Sequence, residues 1–572
     1  MNTQERYNDW LIHTSYDPEA HTELKKIQGD HEQITDRFFK NLEFGTGGLR
    51  GVMEMGDNRI NKYTIRKATQ GLANYLSGRE THPAVVIAWD SRNHSRDFAN
   101  QVAAVLAANQ IRVLLAPAVM PTPILSFCVR YYQASAGINI TASHNPKEYN
   151  GYKVYNQSGV QITNQMAAGI LEEIEKLDLF QDIRVLPDEA LTGNPLITFI
   201  ESQAIRQYCQ QVQTLVSQNT PVTQNHSELK ILYTPLHGAG LESVPMVLKQ
   251  LGFDVDMVEE QAQLDGNFPT VNNPNPEEPE VFSMALQKAR SANQSYDLLM
   301  ATDPDCDRIG IMVKDQDHYL LLNGNEVGAL LCHYLITSSR QLGTMPEKPA
   351  VIKTIVTSDL ARNICQAHGV TLFETLTGFK YIGELLEQWS ITGEYNFMLG
   401  FEESYGYLAG DFVRDKDAII AAALIAEMAS FYKDQNQNLI QVMEYLFDKF
   451  GCHKEGLVSI RKEGAAGVAE IKAMIDHLRQ NYERLFKDKG LVAIEDYNTG
   501  IKTDLEYHQT TKLALPSSNV IKLFFADKSW IAVRPSGTEP KIKLYISVVT
   551  DNRAALNKTY EHYKEMILKL LS

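Results

Sequence analysis

Short apolar runs rich in Val, Ile and Leu alternate with longer stretches of helical periodicity along most of this chain. That alternation predicts an α/β class with mainly parallel sheets. A slower pattern lies above it. PAVVIAWDSRNHS at 83–95, LKILYTPLHGAG at 229–240 and PAVIKTIVTSDL at 349–360 each pass from a β-branched strand into a polar loop and then a helical pattern. They recur at roughly 120 to 145 residues, the size of a domain. After each, at roughly 45 to 70 residues, a second strand ends in a chemically loaded loop: TASHNP at 141–146, TDPDCDR at 302–308 and FEESYG at 401–406. Open α/β sheets bind ligands at such carboxyl ends. From about 445 the texture changes to helical patterns, then the strands VIKLFFAD, SWIAVRP and KIKLYISVV, then a last helix. The pattern therefore predicts a helical extension over 1–40, three similar mixed α/β domains over 41–205, 206–322 and 323–443, and a C-terminal α+β domain over 444–572. NNPNPEEPE at 272–280 reads as a surface loop.

Composition narrows the partners. The 572 residues are 44% hydrophobic, enough for several cores, and 54 basic against 70 acidic residues give a net charge of -16. That balance argues against nucleic acid and against an anionic membrane surface, so an anionic ligand has to be captured by local groups. Cys128, Cys209, Cys306, Cys332, Cys365 and Cys452 form no C-x-x-C pair, which predicts a reducing compartment and no zinc site. The first residues lack an apolar signal core, and the apolar stretch at 418–431 is interrupted by Glu427 and too short to span a bilayer. The expected location is cytoplasmic.

Each loop has a chemical and a plain reading. In TDPDCDR, Asp303, Asp305 and Asp307 alternate, so three carboxylates can converge on one hard cation such as magnesium, or form a solvated acidic turn. An EF-hand is excluded, because Arg308 stands at its sixth position and Lys314 at its twelfth. In RPSGTEP, Arg534 can fork onto a phosphate with Ser536, Thr538 and the backbone at Gly537, or the segment is a hairpin turn. FEESYG offers Glu402, Glu403 and Ser404 as acceptors for sugar hydroxyls, and LTGFKYIG at 376–383 brings Gly378 and Lys380. TASHNP delivers Ser143 and His144 to a turn that Asn145 and Pro146 would favour in any case. FGTGGLRG at 44–51 surrounds Arg50 with glycines but matches G-x-G-x-x-G only loosely, and no P-loop motif occurs.

Taken in order, GTGGLRG, TASHNPKEYNGYK, DPDCDR, TGFK, FEESYGY and RPSGTEP resemble the α-D-phosphohexomutase family from about residue 40 to the end. The resemblance implies four domains in a heart shape, each giving one loop to a central cleft. It implies that Ser143 carries a phosphoryl group, and that Asp303, Asp305 and Asp307 hold one magnesium ion against it. Glu402 and Ser404, with Gly378 before them, read the sugar, and Arg534, Ser536, Gly537 and Thr538 grip the phosphate that is not reacting. Arg50, His144, Lys153 and Lys380 fall at phosphate-contact or proton-transfer positions, with His144 and Lys380 both open as acid and base.

The same resemblance implies a sugar bisphosphate, glucose 1,6-bisphosphate, that turns around in the cleft between two transfers. A hinge near 440–450 would let the fourth domain close and exclude water. Within the family the loops resemble the glucose branch, moving phosphate between C1 and C6. Length and FGTGGLRG also resemble a branch acting on ribose or deoxyribose 1-phosphate or making sugar bisphosphates. Phe401 stands where many glucose enzymes have Gly. Two further classes are a metal-dependent phosphatase attacking through Asp303 and a non-catalytic sugar-phosphate sensor. The expected partners are small sugar phosphates, with no nucleic acid and no membrane, and a monomer with a dimer as the alternative.

Overall fold

The computed structural model describes residues 1–44, 48–221, 226–291, 295–462, 464–535 and 541–571, without the side chains of 464–466 and 468. AVVIAW and AGINI are apolar at nearly every position, which suits strands covered on both faces, and both are buried throughout. They centre a six-stranded sheet in the order Gly48–Val52, Tyr149–Asn156, Ala136–Ile140, Ala84–Trp89, Arg112–Leu115, Ile197–Phe199. Ladders among the last four are parallel, and the two that add Tyr149–Asn156 and Gly48–Val52 are antiparallel. The second sheet has five strands, ordered His318–Leu322, Ile309–Asp315, Leu298–Thr302, Lys230–Thr234, Asp254–Met257. The third has four, ordered Thr371–Thr375, Pro349–Thr354, Asn396–Glu402, Gly406–Leu408.

One device repeats in all three. The strand that carries the loaded loop is parallel to its inner neighbour, and the chain returns from the loop antiparallel to the strand it has just left. The sheets are therefore mixed rather than mainly parallel. A hairpin return anchors both ends of each loop on one sheet, whereas a helical crossover would anchor only the first. Each loop also contains a residue in the left-handed region: Ser143 (φ 54), Cys306 (φ 56) and Tyr405 (φ 63).

The C-terminal sheet is wholly antiparallel, in the order Cys452–Arg461, Lys541–Thr550, Trp530–Pro535, Ile521–Phe525, Leu491–Asp496, Ile501–Asp504, Gln509–Lys512. Its helices are Gly464–Leu485 and Arg553–Leu571. Cys452–Arg461, Leu491–Asp496, Ile501–Asp504 and Gln509–Lys512 were not signalled by the apolar pattern, because they are largely half-buried or exposed.

One core runs through the first three sheets, and a second fills the C-terminal domain. The expected boundaries at 205/206 and 443/444 fall inside the helices Ser202–Asn219 and Leu439–Phe450. The crossing between cores comes at Gly451 (φ 92): Leu439, Val442, Met443 and Leu446 belong to the first core and Cys452 to the second. The most apolar helix, Ala418–Lys433, is buried nearly all round against Gly240–Gln250 and Ser202–Asn219, which accounts for its composition. Among the described residues no helix is long and apolar enough to cross a membrane.

The first residues form three helices, Thr3–His13, Pro18–Lys26 and His31–Phe38, capped by Asn2, Asp17 and Asp30. They dock on the first sheet's domain. Trp10 packs on Tyr63 and Phe180 and donates to Asp57 at 2.9 Å, and the Tyr63 hydroxyl donates to Asp17 at 2.7 Å.

Candidate active site

Ser143 follows the buried strand Ala136–Ile140 by three residues and is itself buried. Its amide donates to Thr141 Oγ1 at 2.8 Å, and its hydroxyl donates to Asp303 Oδ2 at 2.7 Å across the boundary between the first two sheets. His144 Nδ1 lies 3.2 Å from Ser143 Oγ. Burial, then the nearby guanidiniums of Arg308 and Arg50, hold the imidazole well below its usual pKa, so it is neutral. Arg50, exposed on the edge strand Gly48–Val52, reaches the same loop through Asn145 Oδ1 at 2.9 Å.

The three aspartates meet. Oxygens of Asp303, Asp305 and Asp307, all buried, lie within 4.8 Å of one another. Asp305 Oδ1 and Asp307 Oδ1 are buried with no hydrogen-bond partner among the described residues, which leaves acceptors free in a cluster of the kind that can take a hard divalent cation. Burial, then repulsion from Asp305 and Asp307, pushes the Asp303 carboxyl well up. Burial would raise Asp307 too, but Lys153, Lys416 and Arg308 together hold it well below the carboxylate range. The acidic loop therefore shares its charge with a ring of cations. Lys153 Nζ lies 2.6 Å from Asp305 and 3.1 Å from Asp307, and Arg308 donates to Glu277 at 2.6 Å. Glu277 lies in the NNPNPEEPE stretch, so that surface loop is also a brace for the acidic loop.

The third sheet contributes Glu402, whose Oε1 accepts from the Gly378 amide at 2.9 Å. Gly378 has φ 121, a conformation that strains any residue with a Cβ, and it opens the helix Phe379–Thr392. Burial, then the adjoining Glu402, raises the Glu403 carboxyl to about 7, and its Oε2 accepts from Thr354 and Thr357 hydroxyls at 3.2 Å. Ser404 follows, half-buried. Phe401 is fully buried with its ring on Gly328, where a Cβ would come within 2.1 Å of it. It faces the core, so its departure from the usual Gly is matched by a glycine on the neighbouring helix.

Lys380 donates to Asn164 Oδ1 of the first domain at 2.9 Å. Arg534 is half-buried on the strand Trp530–Pro535. Ser536, Gly537 and Thr538 lie outside the described residues.

Several residues at this site were not anticipated from the sequence. Lys416 Nζ lies 3.1 Å from Asp307 and 3.4 Å from Asp415, over the Phe379 ring at 5.7 Å, and so joins the acidic loop to the Gly378 turn. The alternating charges of RDKD at 414–417, set just before an apolar helix, were the available signal. Thr122 Oγ1 donates to Asp305 Oδ2 at 2.8 Å and accepts from Asn139 at 2.7 Å, while its amide donates to Asp305 O at 2.9 Å. Nothing local in TPILSF marks that role. Arg92, inside the quoted WDSRNHS, sits beneath the Ser143 loop and donates to its carbonyls.

Four adjoining segments match the domains of one family: "Phosphoglucomutase/phosphomannomutase, alpha/beta/alpha domain I" over 41–181, domain II over 206–316, domain III over 323–450, and the C-terminal domain over 461–558. The chain is 40% identical over 513 residues to a phosphoglucomutase of Staphylococcus epidermidis (strain ATCC 35984), covering 89% of this chain and 91% of the relative. It is 38% identical over 547 residues to that of Staphylococcus aureus (strain MRSA252), covering 95% and 94%. In fold it is similar to the open form of pp63/parafusin, a phosphoglucomutase from Paramecium, with TM-score 0.69, 18% identity and coverage of 93% and 95%. It is also similar to a phosphomannomutase-like protein from Thermus thermophilus, with TM-score 0.64, 19% identity and coverage of 91% and 98%.

Proposed function

We propose that this chain, which belongs to the α-D-phosphohexomutase (phosphoglucomutase/phosphomannomutase) family, is a phosphoglucomutase that moves phosphate between C1 and C6 of glucose through a phosphoserine at Ser143. One observation carries the reading: a buried hydroxyl 2.7 Å from one of three convergent aspartates, two of which have unpaired oxygens. A magnesium ion held by Asp303, Asp305, Asp307 and the phosphorylated Ser143 would neutralise charge on the transferring group.

The remaining work falls to the chain. The bond between Ser143 Oγ and phosphorus breaks as the sugar hydroxyl oxygen bonds to phosphorus; the hydroxyl proton passes to a base, and the departing Ser143 Oγ takes up one proton to become the free hydroxyl. Neutral His144 and Lys380, whose ammonium is destabilised by burial, are the candidates; His144 lies against the reacting oxygen, while Lys416 stays a cation beside Asp307. Arg50 and Lys153 stabilise the developing negative charge. Glucose 1,6-bisphosphate then turns, and its other phosphate returns to Ser143. Glu402, Ser404 and the Gly378 turn bind the sugar hydroxyls in either orientation, and Arg534, with Ser536, Gly537 and Thr538, holds the distal phosphate. Six free, buried cysteines agree with a reducing cytoplasm.

The test supplies magnesium, a trace of glucose 1,6-bisphosphate and either glucose 1-phosphate or ribose 1-phosphate, and follows phosphorus NMR. Glucose 6-phosphate is expected to form. No movement of phosphate between carbons of any sugar would refute the reading. Intact mass is expected to show one phosphate per chain on part of the protein, absent from Ser143→Ala, which is expected to be inactive.

A further inference from the structure

We infer that Arg92 is a positioning residue for phosphoryl transfer, setting the backbone of the Ser143 loop, and that the second domain locks it there through Phe268. The inference rests on Ser143 being the phosphoryl carrier. Arg92 is buried, and its two terminal nitrogens donate to four carbonyls of one loop: Ser143 at 2.6 Å, Pro146 at 2.8 Å, Tyr149 at 3.1 Å, and Asn145. Those carbonyls converge because Ser143 is left-handed, with φ 54, a conformation that costs an L-residue roughly 1–2 kcal/mol. Inward-pointing carbonyls need a donor, and only a planar fork with several N–H groups reaches four at once. A lysine ammonium is a point donor with three.

The fork is itself fixed. Asp90 Oδ2 lies 3.3 Å from Arg92 Nε and accepts from Thr141 Oγ1 at 2.6 Å, while Asp90 Oδ1 accepts from Ser95 at 2.8 Å. Arg92 is therefore aimed by the same carboxylate that steadies the residue whose hydroxyl receives the Ser143 amide. From the other side comes the second domain. The Phe268 ring lies over the guanidinium at 5.0 Å, and Asn93 donates to Asn267 at 3.0 Å. Gly266 packs so closely that a Cβ would lie 2.2 Å from Asn93 N. The second domain also carries Asp303, Asp305 and Asp307. It thus grips the phosphoserine loop twice, at the Ser143 hydroxyl and through Arg92 beneath the backbone, so that serine and metal loop keep one alignment.

The test compares Arg92→Lys and Phe268→Leu with the parent protein in steady-state kinetics and crystals. A misplacement near 1 Å predicts that Arg92→Lys lowers kcat by about 10²-fold while KM stays within about threefold, because the sugar and distal-phosphate contacts are untouched. Phe268→Leu is expected to show the same split at smaller size. In Arg92→Lys crystals Ser143 is expected to leave the left-handed region or to move off Asp303. A folded Arg92→Lys with kcat within about threefold of the parent, or a loss carried wholly by KM, would overturn the inference. If Arg92→Lys does not fold, Phe268→Leu decides on the same criteria. If the parent moves no phosphate at all, the functional reading fails, and the Ser143 conformation in the variant crystal still decides the role of Arg92.

Discussion

Thr122→Val removes one hydroxyl at nearly constant volume and tests whether the metal loop is oriented from the first domain. The Thr122 hydroxyl donates to Asp305 Oδ2 at 2.8 Å and accepts from the Asn139 amide at 2.7 Å. The Thr122 amide, which donates to Asp305 O at 2.9 Å, survives the change, so the backbone of the loop stays tied and the carboxylate Oδ2 keeps only Lys153, at 2.6 Å. Partners that orient a ligating carboxylate are worth about 10- to 100-fold in metal affinity. That is about 1.4–2.7 kcal/mol, in line with about 1.5–3 kcal/mol for a hydrogen bond to a charged group. Asn139 is left with a buried unpaired amide donor, for a further loss of roughly 1–3 kcal/mol in stability. The assay is a magnesium titration of mutase rate, with a parallel titration of thermal melting. Half-saturation is expected to move up by about 10- to 100-fold in Thr122→Val, and Thr122→Ser, which keeps the hydroxyl, is expected to restore it to within about threefold. A folded Thr122→Val with half-saturating magnesium within about twofold of the parent would refute the reasoning.

Three more outcomes are expected. Lys380→Met takes from the site a lysine whose ammonium is destabilised by burial, so turnover should fall by about 10²- to 10⁴-fold, and further than in Lys416→Met, which removes only a cation beside Asp307, by steady-state assay; the reverse order would argue against Lys380 as the proton carrier. Burial, eased by Ser358 and Ser547, raises the Glu455 carboxyl from 4.5 to about 7, so its contribution to stability is full below pH 4.5 and is lost as pH rises through 7. Glu455→Gln should therefore be near neutral at pH 5 and stabilising by up to about 3 kcal/mol at pH 8 in urea unfolding, and equal effects at both would contradict it. Trp530→Phe removes an indole N–H that donates to Asp359 at 3.0 Å between the third and fourth domains, weakening their docking by about 1.5–3 kcal/mol; faster limited proteolysis near Gly451 is the expected sign, and an unchanged rate would argue against the contact.

Much of this molecule is readable from local spacing. An apolar run covered on both faces reads as a buried strand wherever it occurs, so Ala84–Trp89, Ala136–Ile140 and Leu298–Thr302 are visible in the sequence, and with them the loops that must follow. Asp303, Asp305 and Asp307 announce themselves because their two-residue spacing is set by the chain. The exposed strands of the C-terminal sheet do not, because a strand such as Gln509–Lys512 is held by ladder bonds to a neighbour and buries nothing that would mark it.

What only the tertiary structure decides is which distant groups share a carboxylate. Thr122 is 183 residues from Asp305, and Arg92 is 51 residues from Ser143. Lys416 comes from a third sheet's domain to meet the same aspartate as Lys153. In the chain each of these is an ordinary helix start, loop arginine or charged run, and its role exists only once three sheets pack on one core. The sequence by itself determined the candidate carriers of the chemistry, a serine and three aspartates, because their pattern is local. Their alignment came from the packing of domains, because burying cations and hydroxyls against those aspartates is favourable only when the partners arrive together.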